Sequence, residues 1–160
     1  MPQFASKISN EELEERFKEY LYKHNGKFTH ERMAVLRIIY EDDEHLSVDA
    51  ILQIARDRDL SVSRATVYRT LDLLVQSGLA KKHQFDGHET VFEAALKEGH
   101  HDHIVCVDCN KITEFFDGDL ERIQNEILSK YGLVMVKHTH QLYGRCIRPN
   151  CPEKEALKTR

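Results

Sequence analysis

The fold is decided by residues 63–94, which read SRATVYRTLDLLVQSGLAKKHQFDGHETVFEA. Ser61 or Ser63 can cap a helix that runs to Ser77-Gly78. One side of this helix is apolar and would pack inward; it consists of Val67, Leu71, Leu74 and Val75. The opposite side presents Ala65, Arg69, Asp72 and Gln76, with Tyr68 at its margin. Such a surface suits a recognition helix, because arginine binds phosphates and guanine edges. An amphipathic helix with a solvated outer face is the alternative.

The residues after this helix predict a β-hairpin. Residues 79–94 alternate between apolar and polar, and Asp86-Gly87 has the composition of a two-residue hairpin turn. Lys81 and Lys82 make the first strand basic. Helices followed by a basic hairpin predict a winged helix, in which helix and wing both contact DNA. The candidate DNA-binding residues of this region are Arg64, Tyr68, Arg69, Lys81 and Lys82.

Three further helices are predicted on the amino-terminal side. Ser9 and Glu12 form a capping box for a helix over residues 9–24, which Asn25-Gly26 ends. Thr29 can cap a second helix, which ends in the acidic turn at residues 41–44. Ser47 can cap a third. Short helices joined by short turns predict a helix-turn-helix.

On the carboxyl-terminal side, residues 100–114 read HHDHIVCVDCNKITE. Imidazoles and a carboxylate suit borderline divalent ions such as Fe(II), Mn(II) or Zn(II). If residues 100–104 are extended, His101 and His103 face one way and His100 and Asp102 the other. The pattern therefore predicts two metal sites on opposite faces. The residues that could complete them are Glu114, Glu121 and His138.

The four cysteines predict another site. Cys106 and Cys109 form a C-x2-C pair, and Cys146 and Cys151 form a C-x4-C pair. Two such pairs predict a tetrahedral, structural zinc site with no open position for chemistry. The alternative is two disulfides, which require an oxidising compartment. The first residues do not resemble a secretory leader, and no segment has the ~20 apolar residues of a membrane span. We therefore expect a cytoplasmic protein with reduced thiols and no membrane segment.

The second half of the chain has an α/β pattern. We expect strands at 102–107 and 111–116, a helix at 120–131 and a long strand at 133–145. The inward residues of that helix are predicted to be Leu120, Ile123, Ile127 and Leu128. The fold class is therefore α+β, with a winged-helix domain at residues 1–93, a hinge at 94–99 and a small α/β domain at 100–160. The net charge of −4 means that DNA contact must depend on a local basic face.

Taken together, residues 20–151 resemble the ferric uptake regulator family of metal-dependent bacterial transcription factors. The resemblance rests on Ala65-Thr66-Val67-Tyr68-Arg69, Val91-Phe92-Glu93, His100-His101-Asp102-His103, Glu114-Phe115 and the two cysteine pairs. It implies that the second domain dimerises. It also implies that the homodimer, or a tetramer, binds A/T-rich palindromic double-stranded DNA.

The resemblance also implies two ligand sets and three DNA contacts. The regulatory set is His45, Glu93, His101, His103 and Glu114, which spans the hinge. The second set is His100, Asp102, Glu121 and His138, inside the dimerisation domain. Tyr68 and Arg69 would enter the major groove, and Lys27 would reach a minor groove. This chain departs from the family pattern at Glu31, where many relatives have proline, and in residues 1–19, which extend beyond the shorter members.

The resemblance favours iron as the regulatory metal. Peroxide-sensing relatives usually carry aspartate where this chain has Glu93 and Glu114, and zinc-sensing relatives recruit an extra cysteine. We therefore expect an Fe(II)-dependent repressor of iron-uptake genes, in which Mn(II), Zn(II) or Co(II) can substitute. A peroxide- or manganese-responsive regulator is the alternative. A metallohydrolase is remote, because the chain lacks H-E-x-x-H, a glycine-rich phosphate loop and a nucleophile elbow. We expect no enzymatic activity.

Overall fold

The computed structural model describes residues 8–42, 45–85, 89–96, 101–148 and Cys151. The chain forms two compact units, Met1–Gly99 (unit 1) and His100–Arg160 (unit 2). In unit 1 the elements are α1 Asn10–Lys23, α2 His30–Glu41, β1 Leu46–Ser47, α3 Val48–Asp57, α4 Arg64–Gln76, β2 Ala80–His83 and β3 Val91–Ala94. In unit 2 they are β4 Asp102–Cys106, β5 Ile112–Phe115, α5 Gly118–Lys130 and β6 Gln141–Gly144. No helix among the described residues is long and apolar enough to cross a membrane.

The four helices of unit 1 begin where the sequence predicts. Each follows a residue whose side-chain oxygen accepts a backbone N–H three residues further on, which satisfies one of the unpaired donors of the first turn. These capping residues are Ser9, Thr29, Ser47 and Ser63. Ser63, and not Ser61, therefore caps α4. At the end of α1, Asn25 adopts a left-handed φ of 52°, and the Gly26 N–H donates to the Leu21 carbonyl.

All four helices of unit 1 share one apolar core. From α4, Val67, Leu71 and Leu74 are fully buried against it, whereas Tyr68 and Arg69 are exposed. The predicted inner and outer sides of α4 are thereby confirmed, except that Val75 is only partly buried. The packing leaves the N-terminal half of α4 with a polar and aromatic surface facing solvent.

Unit 1 also contains a three-stranded antiparallel sheet in the order β1-β3-β2. The β2–β3 hairpin was predicted, but β1 was not, because two residues are too few to show an alternating pattern. The register pairs His83 with Val91, whereas a two-residue turn at Asp86-Gly87 would pair His83 with Thr90. The connection is therefore longer than predicted. The turn itself, at residues 86–88, lies outside the described residues. Residues 97–99 of the predicted hinge also lie outside them, and Ala94, the first residue of that hinge, is the last residue of β3.

Unit 2 also has a three-stranded sheet, in the order β5-β4-β6. Strand β4 pairs antiparallel with β5 and parallel with β6. Helix α5 begins after Asp117, whose carboxylate accepts the N–H groups of Asp119 and Leu120. Strands β4 and β5 lie within the two segments predicted for them, so the α+β fold class is confirmed.

Two expectations about unit 2 are wrong for the single chain. The long strand predicted at 133–145 is a strand only at Gln141–Gly144, and residues 133–140 have no strand partner. The predicted inward face of α5 contributes no buried residue, and Ile127 is 49% exposed. The physical reason is that no described element of unit 2 covers these apolar side chains. They form a surface suited to a partner outside this chain.

Candidate metal centres and nucleic-acid interface

The sheet of unit 1 brings several side chains to Glu93 of β3. Lys81 of β2 is paired directly with Glu93, and His83 is two residues further along the same strand. On the other side, Ser47 and Leu46 pair with Val91 and Phe92, so continuing that register brings His45 opposite Glu93. Residues paired across antiparallel strands share a face of the sheet. The topology therefore places both imidazoles and the Lys81 ammonium around one carboxylate.

Each oxygen of the Glu93 carboxylate has at least one nitrogen atom close to it. The His45 Nε2 lies 3.0 Å from Oε2, the His83 Nε2 lies 3.2 Å from Oε1, and the Lys81 Nζ lies 2.9 Å from Oε1. The Glu93 side chain is only 9% exposed. We call this group of Glu93, His45, His83 and Lys81 the carboxylate cluster.

The environment of Glu93 keeps it ionised. Burial raises the pKa of Glu93. Hydrogen bonds with His45, His83 and Lys81 lower it, as does the positive charge of Lys81. Together they outweigh the effect of burial and hold the pKa far below its usual value. An anionic carboxylate beside imidazoles is a donor set that suits borderline divalent metals, so these residues fit the regulatory metal. His83 was not among the predicted ligands. The sequence could have indicated this position, because residues two apart in a strand lie on the same face, and His83 therefore shares a face of β2 with Lys81.

In unit 2, three predicted ligands of the regulatory set lie together. His103 of β4 is paired with Glu114 of β5, and the Nε2 of His101 lies 3.6 Å from Oε1 of Glu114. The His101 and His103 rings are 5.1 Å apart and nearly perpendicular. Unit 2 thus presents two imidazoles and a carboxylate from adjoining strands.

The opposite side of β4 carries the second set. The Nε2 of His138 lies 3.5 Å from the Asp102 carboxylate and 3.4 Å from that of Glu121. One ligand atom from each of these three residues lies within 4.8 Å of the others. The structure therefore separates Asp102 from His101 and His103, as the period of an extended strand predicts. His100, the fourth predicted member, lies outside the described residues.

The cysteine pairs also meet in unit 2. The Sγ atoms of Cys106, Cys109 and Cys146 lie within 4.8 Å of one another, and Cys151 is buried. All four are free thiols, so the two-disulfide alternative is wrong. Asn110, with a left-handed φ of 60°, donates its N–H to the Cys106 carbonyl and turns the chain between the first pair and β5. The N–H of Cys146 donates to the Asp108 carboxylate, which ties the second pair to the first.

The local electrostatics favour thiolates. A hydrogen bond with Arg148 is the largest cause that lowers the pKa of Cys146 to about 7, and the Cys151 thiol contributes. Burial raises the pKa of Cys109, but hydrogen bonds with the Lys111 backbone and with neighbouring thiols produce a net lowering. Thiolate is the form that binds zinc, so these residues fit the predicted structural metal.

The predicted DNA-binding residues differ in their surroundings. Tyr68 is 50% exposed, and Lys27, Arg69 and Lys82 are exposed. The Arg64 guanidinium forms an ion pair with Asp49 of α3, and this hydrogen bond is the main cause that raises the pKa of Arg64. Lys81 and Lys82 lie on opposite faces of β2, and the Lys81 ammonium contacts Glu93. Asp49 was not predicted to have a role, and no local sequence pattern indicates it.

Comparison with known proteins extends these observations. The model of the ferric uptake regulator family matches residues 23–143. The ferric uptake regulation protein of Cupriavidus metallidurans is 37% identical over 130 residues, which cover 80% of this chain and 90% of the relative. The structure of the Helicobacter pylori ferric uptake regulator aligns with a TM-score of 0.81 at 31% identity and covers 88% of this chain and 93% of that one. The Francisella tularensis regulator, solved with iron, aligns with a TM-score of 0.67 at 31% identity over 76% of this chain and 92% of that one.

Proposed function

Since this chain belongs to the ferric uptake regulator family and is a metal-responsive, DNA-binding transcriptional regulator, we propose that it represses iron-uptake genes when Fe(II) is bound. The observation that carries the proposal is the buried, ionised Glu93 beside His45, in the same unit as an exposed recognition helix. Iron is favoured because the relatives are named ferric uptake regulation proteins and one was solved with iron.

The proposed regulatory site combines two sets of donors. Unit 1 supplies His45 and Glu93, and unit 2 supplies His101, His103 and Glu114. A divalent ion held by both sets would link the two units. Such an ion has greater affinity for the arrangement that offers all the donors, and differential affinity is what shifts a conformational equilibrium. In the proposed mechanism, this arrangement spaces the two recognition helices of a dimer to suit DNA.

Two further metal sites are proposed in unit 2. Four thiolates from Cys106, Cys109, Cys146 and Cys151 hold a structural zinc. This role is supported by the clustering of Cys106, Cys109 and Cys146 and by the lowered pKa values of Cys109 and Cys146. His100, Asp102, Glu121 and His138 form the second His/carboxylate site, which lies inside one unit and is less suited to switching. The Helicobacter pylori relative is described as having three functional metal binding sites, which is the same number as proposed here.

The proposed biological unit is a homodimer in the cytoplasm, bound to an A/T-rich palindrome. Dimerisation through unit 2 is supported by the exposed apolar side chains of α5 and of residues 133–140. Tyr68 and Arg69 are proposed to contact bases, and Lys27, Arg64, Lys81 and Lys82 the DNA backbone or minor groove. A tetramer is the alternative assembly.

Manganese- or peroxide-dependent regulation is the second candidate, because the same donors accept Mn(II). Glutamate at positions 93 and 114, where peroxide sensors usually carry aspartate, favours iron. An enzymatic role is disfavoured, because the family is one of transcription factors and the donors occur in structural units of a DNA-binding protein.

DNA affinity measured across anaerobic titrations with Fe(II), Mn(II) and Zn(II) tests the proposal. We expect the Fe(II)-loaded protein to bind A/T-rich palindromic DNA at least about tenfold more tightly than the protein that holds only its structural zinc. Hydrogen peroxide should be tested on the Fe(II) form. Equal DNA affinity with and without Fe(II) would contradict repression by iron, and irreversible loss of binding after peroxide would favour the second candidate.

A further inference from the structure

We propose that His83 is a further ligand of the regulatory metal, and that Lys81 holds the Glu93 carboxylate until that metal displaces it. The inference rests on the proposed function and adds one ligand and one competing cation to its site. It concerns only unit 1, where β2 and β3 position both residues against Glu93.

The first argument is the direction of the two imidazoles. His45 and His83 each direct Nε2 toward Glu93, at 3.0 Å from one oxygen and 3.2 Å from the other. The ring centroids are 5.2 Å apart. The His83 Nε2 is therefore almost as close to the carboxylate as the His45 Nε2 is.

The second argument is that His83 is preorganised. Its ring stacks on that of Phe85 with an interplanar angle of 3° and a centroid distance of 5.7 Å, and Phe85 is fully buried. The His45 ring meets the same Phe85 edge-on. One buried aromatic ring thus orients both imidazoles, and orientation of ligands by surrounding groups increases the affinity of a metal site.

The third argument is the charge balance at Glu93. A buried carboxylate is stabilised by a nearby cation, and Lys81 provides one at 2.9 Å. A protonated ammonium has no lone pair and cannot bind a metal. A divalent ion at the Glu93 oxygens would be repelled by this ammonium, so Lys81 must move as the metal enters. The Lys81 side chain is 42% exposed and can extend into solvent.

Displacement gives the metal a direct effect on the wing. Lys81 in the carboxylate cluster is neutralised by Glu93, whereas a displaced Lys81 adds a positive charge to the outside of β2. Phosphate contacts depend on such charges. Metal binding then increases the DNA affinity of unit 1 through a residue that is not itself a ligand.

The experiment measures Co(II) affinity of the full-length, zinc-loaded protein in the absence of DNA, with Co(II) as the probe for Fe(II). We expect His83→Gln to weaken binding about tenfold or more and Lys81→Met to tighten it several-fold. The matched controls are His24→Gln, an exposed histidine on the C-terminal side of α1, and Lys82→Met, which removes the same charge from the opposite face of β2. Both controls should bind Co(II) like the parent.

Proton NMR of the Co(II) protein separates a ligand from a residue that only supports Glu93. An imidazole that binds through Nε2 gives a strongly shifted, exchangeable Nδ1–H resonance. His83→Gln should remove one such resonance, and an unchanged number would overturn the ligand assignment. If Lys81→Met binds Co(II) no more tightly than Lys82→Met does, the proposal that the metal displaces Lys81 from Glu93 is overturned. His45→Ala distinguishes the two proposals: unchanged Co(II) affinity in this variant refutes the regulatory site itself, whereas loss in His45→Ala but not in His83→Gln refutes only this inference.

Discussion

At the scale of single residues, the proposed metal chemistry depends on how each candidate ligand is held before a metal binds. Glu93 is buried and surrounded by nitrogen donors, and Asp102 is buried beside His138. Burying a charged carboxylate is costly unless cations or hydrogen-bond donors compensate. The carboxylates are therefore positioned by their present partners, and in the proposed mechanism a bound metal replaces or supplements those partners.

The thiols of unit 2 give the first prediction. Cys106→Ser should release the zinc and lower the free energy of unfolding by several kcal/mol, because structural zinc binding contributes directly to folding. Zinc content by atomic absorption and thermal melting measure the two effects. Thr113→Ser, an exposed change in the neighbouring strand β5, should alter neither. Retention of one zinc per chain with unchanged melting would refute the role of Cys106.

The exposed side chains of α4 and β2 give the second prediction. Arg69→Ala should weaken binding to the palindrome by about 1–3 kcal/mol and relax sequence preference, because arginine reads guanine edges. Lys82→Ala should weaken binding to all sequences alike. It should also reduce the slope of the logarithm of the binding constant against the logarithm of salt concentration by about one. Fluorescence anisotropy at several salt concentrations measures both. Arg56→Ala, on the exposed side of α3, is the control; an Arg69→Ala protein that behaves like it would disprove the contact.

At the scale of elements, the sequence predicted what local rules determine. The helices of unit 1 were predictable because side-chain caps and apolar spacing are encoded within each helix. Strand β1 was not, because two residues acquire their conformation from pairing with β3. The segment 133–140 has the pattern of a strand but no partner in the described chain. The pattern of apolar residues shows that a segment suits a strand, but it does not show whether the strand pairs within the chain or with another molecule.

The uncovered face of α5 gives the third prediction. Ile127→Glu should dissociate the proposed dimer, because burying an isoleucine contributes about 1.5–3 kcal/mol and a buried, unpaired carboxylate opposes association. Asn125→Glu adds the same charge at an exposed polar position of the same helix and should leave the dimer intact. Sedimentation velocity measures the outcome. If both variants remain dimers at the parent's dissociation constant, this face of α5 is not the interface.

At the scale of the whole molecule, the candidate sites were only partly readable from the sequence. The donors in residues 101–109 were evident because they are adjacent in the chain. His45 and Glu93 were identified only through resemblance to a family, because they are far apart in sequence and meet through the pairing of β1 with β3. His83 and Asp49 were missed. A histidine in a wing and an aspartate on a helix have many ordinary uses, and only their contacts with Glu93 and Arg64 distinguish them.

The last prediction concerns the coupling of metal to DNA across the two units. If one metal uses donors from both, removing a ligand from either unit should abolish the metal dependence of DNA binding. We expect His45→Ala and His101→Ala each to lose metal-stimulated binding to the palindrome, while both keep the zinc of the four cysteines and the dimer. Zinc content and sedimentation establish that the variants are otherwise intact, so a loss of response is not a loss of fold.

The matched control is His138→Ala, which removes an imidazole from the set that lies within unit 2. It should reduce the response less, because a metal bound by Asp102 and Glu121 has the same donors whatever the arrangement of the units. A ligand without differential affinity cannot shift an equilibrium between arrangements. If His45→Ala responds to Fe(II) as the parent does, while His101→Ala does not, the regulatory metal is held by unit 2 alone. Metal would then act on DNA binding without linking the two units.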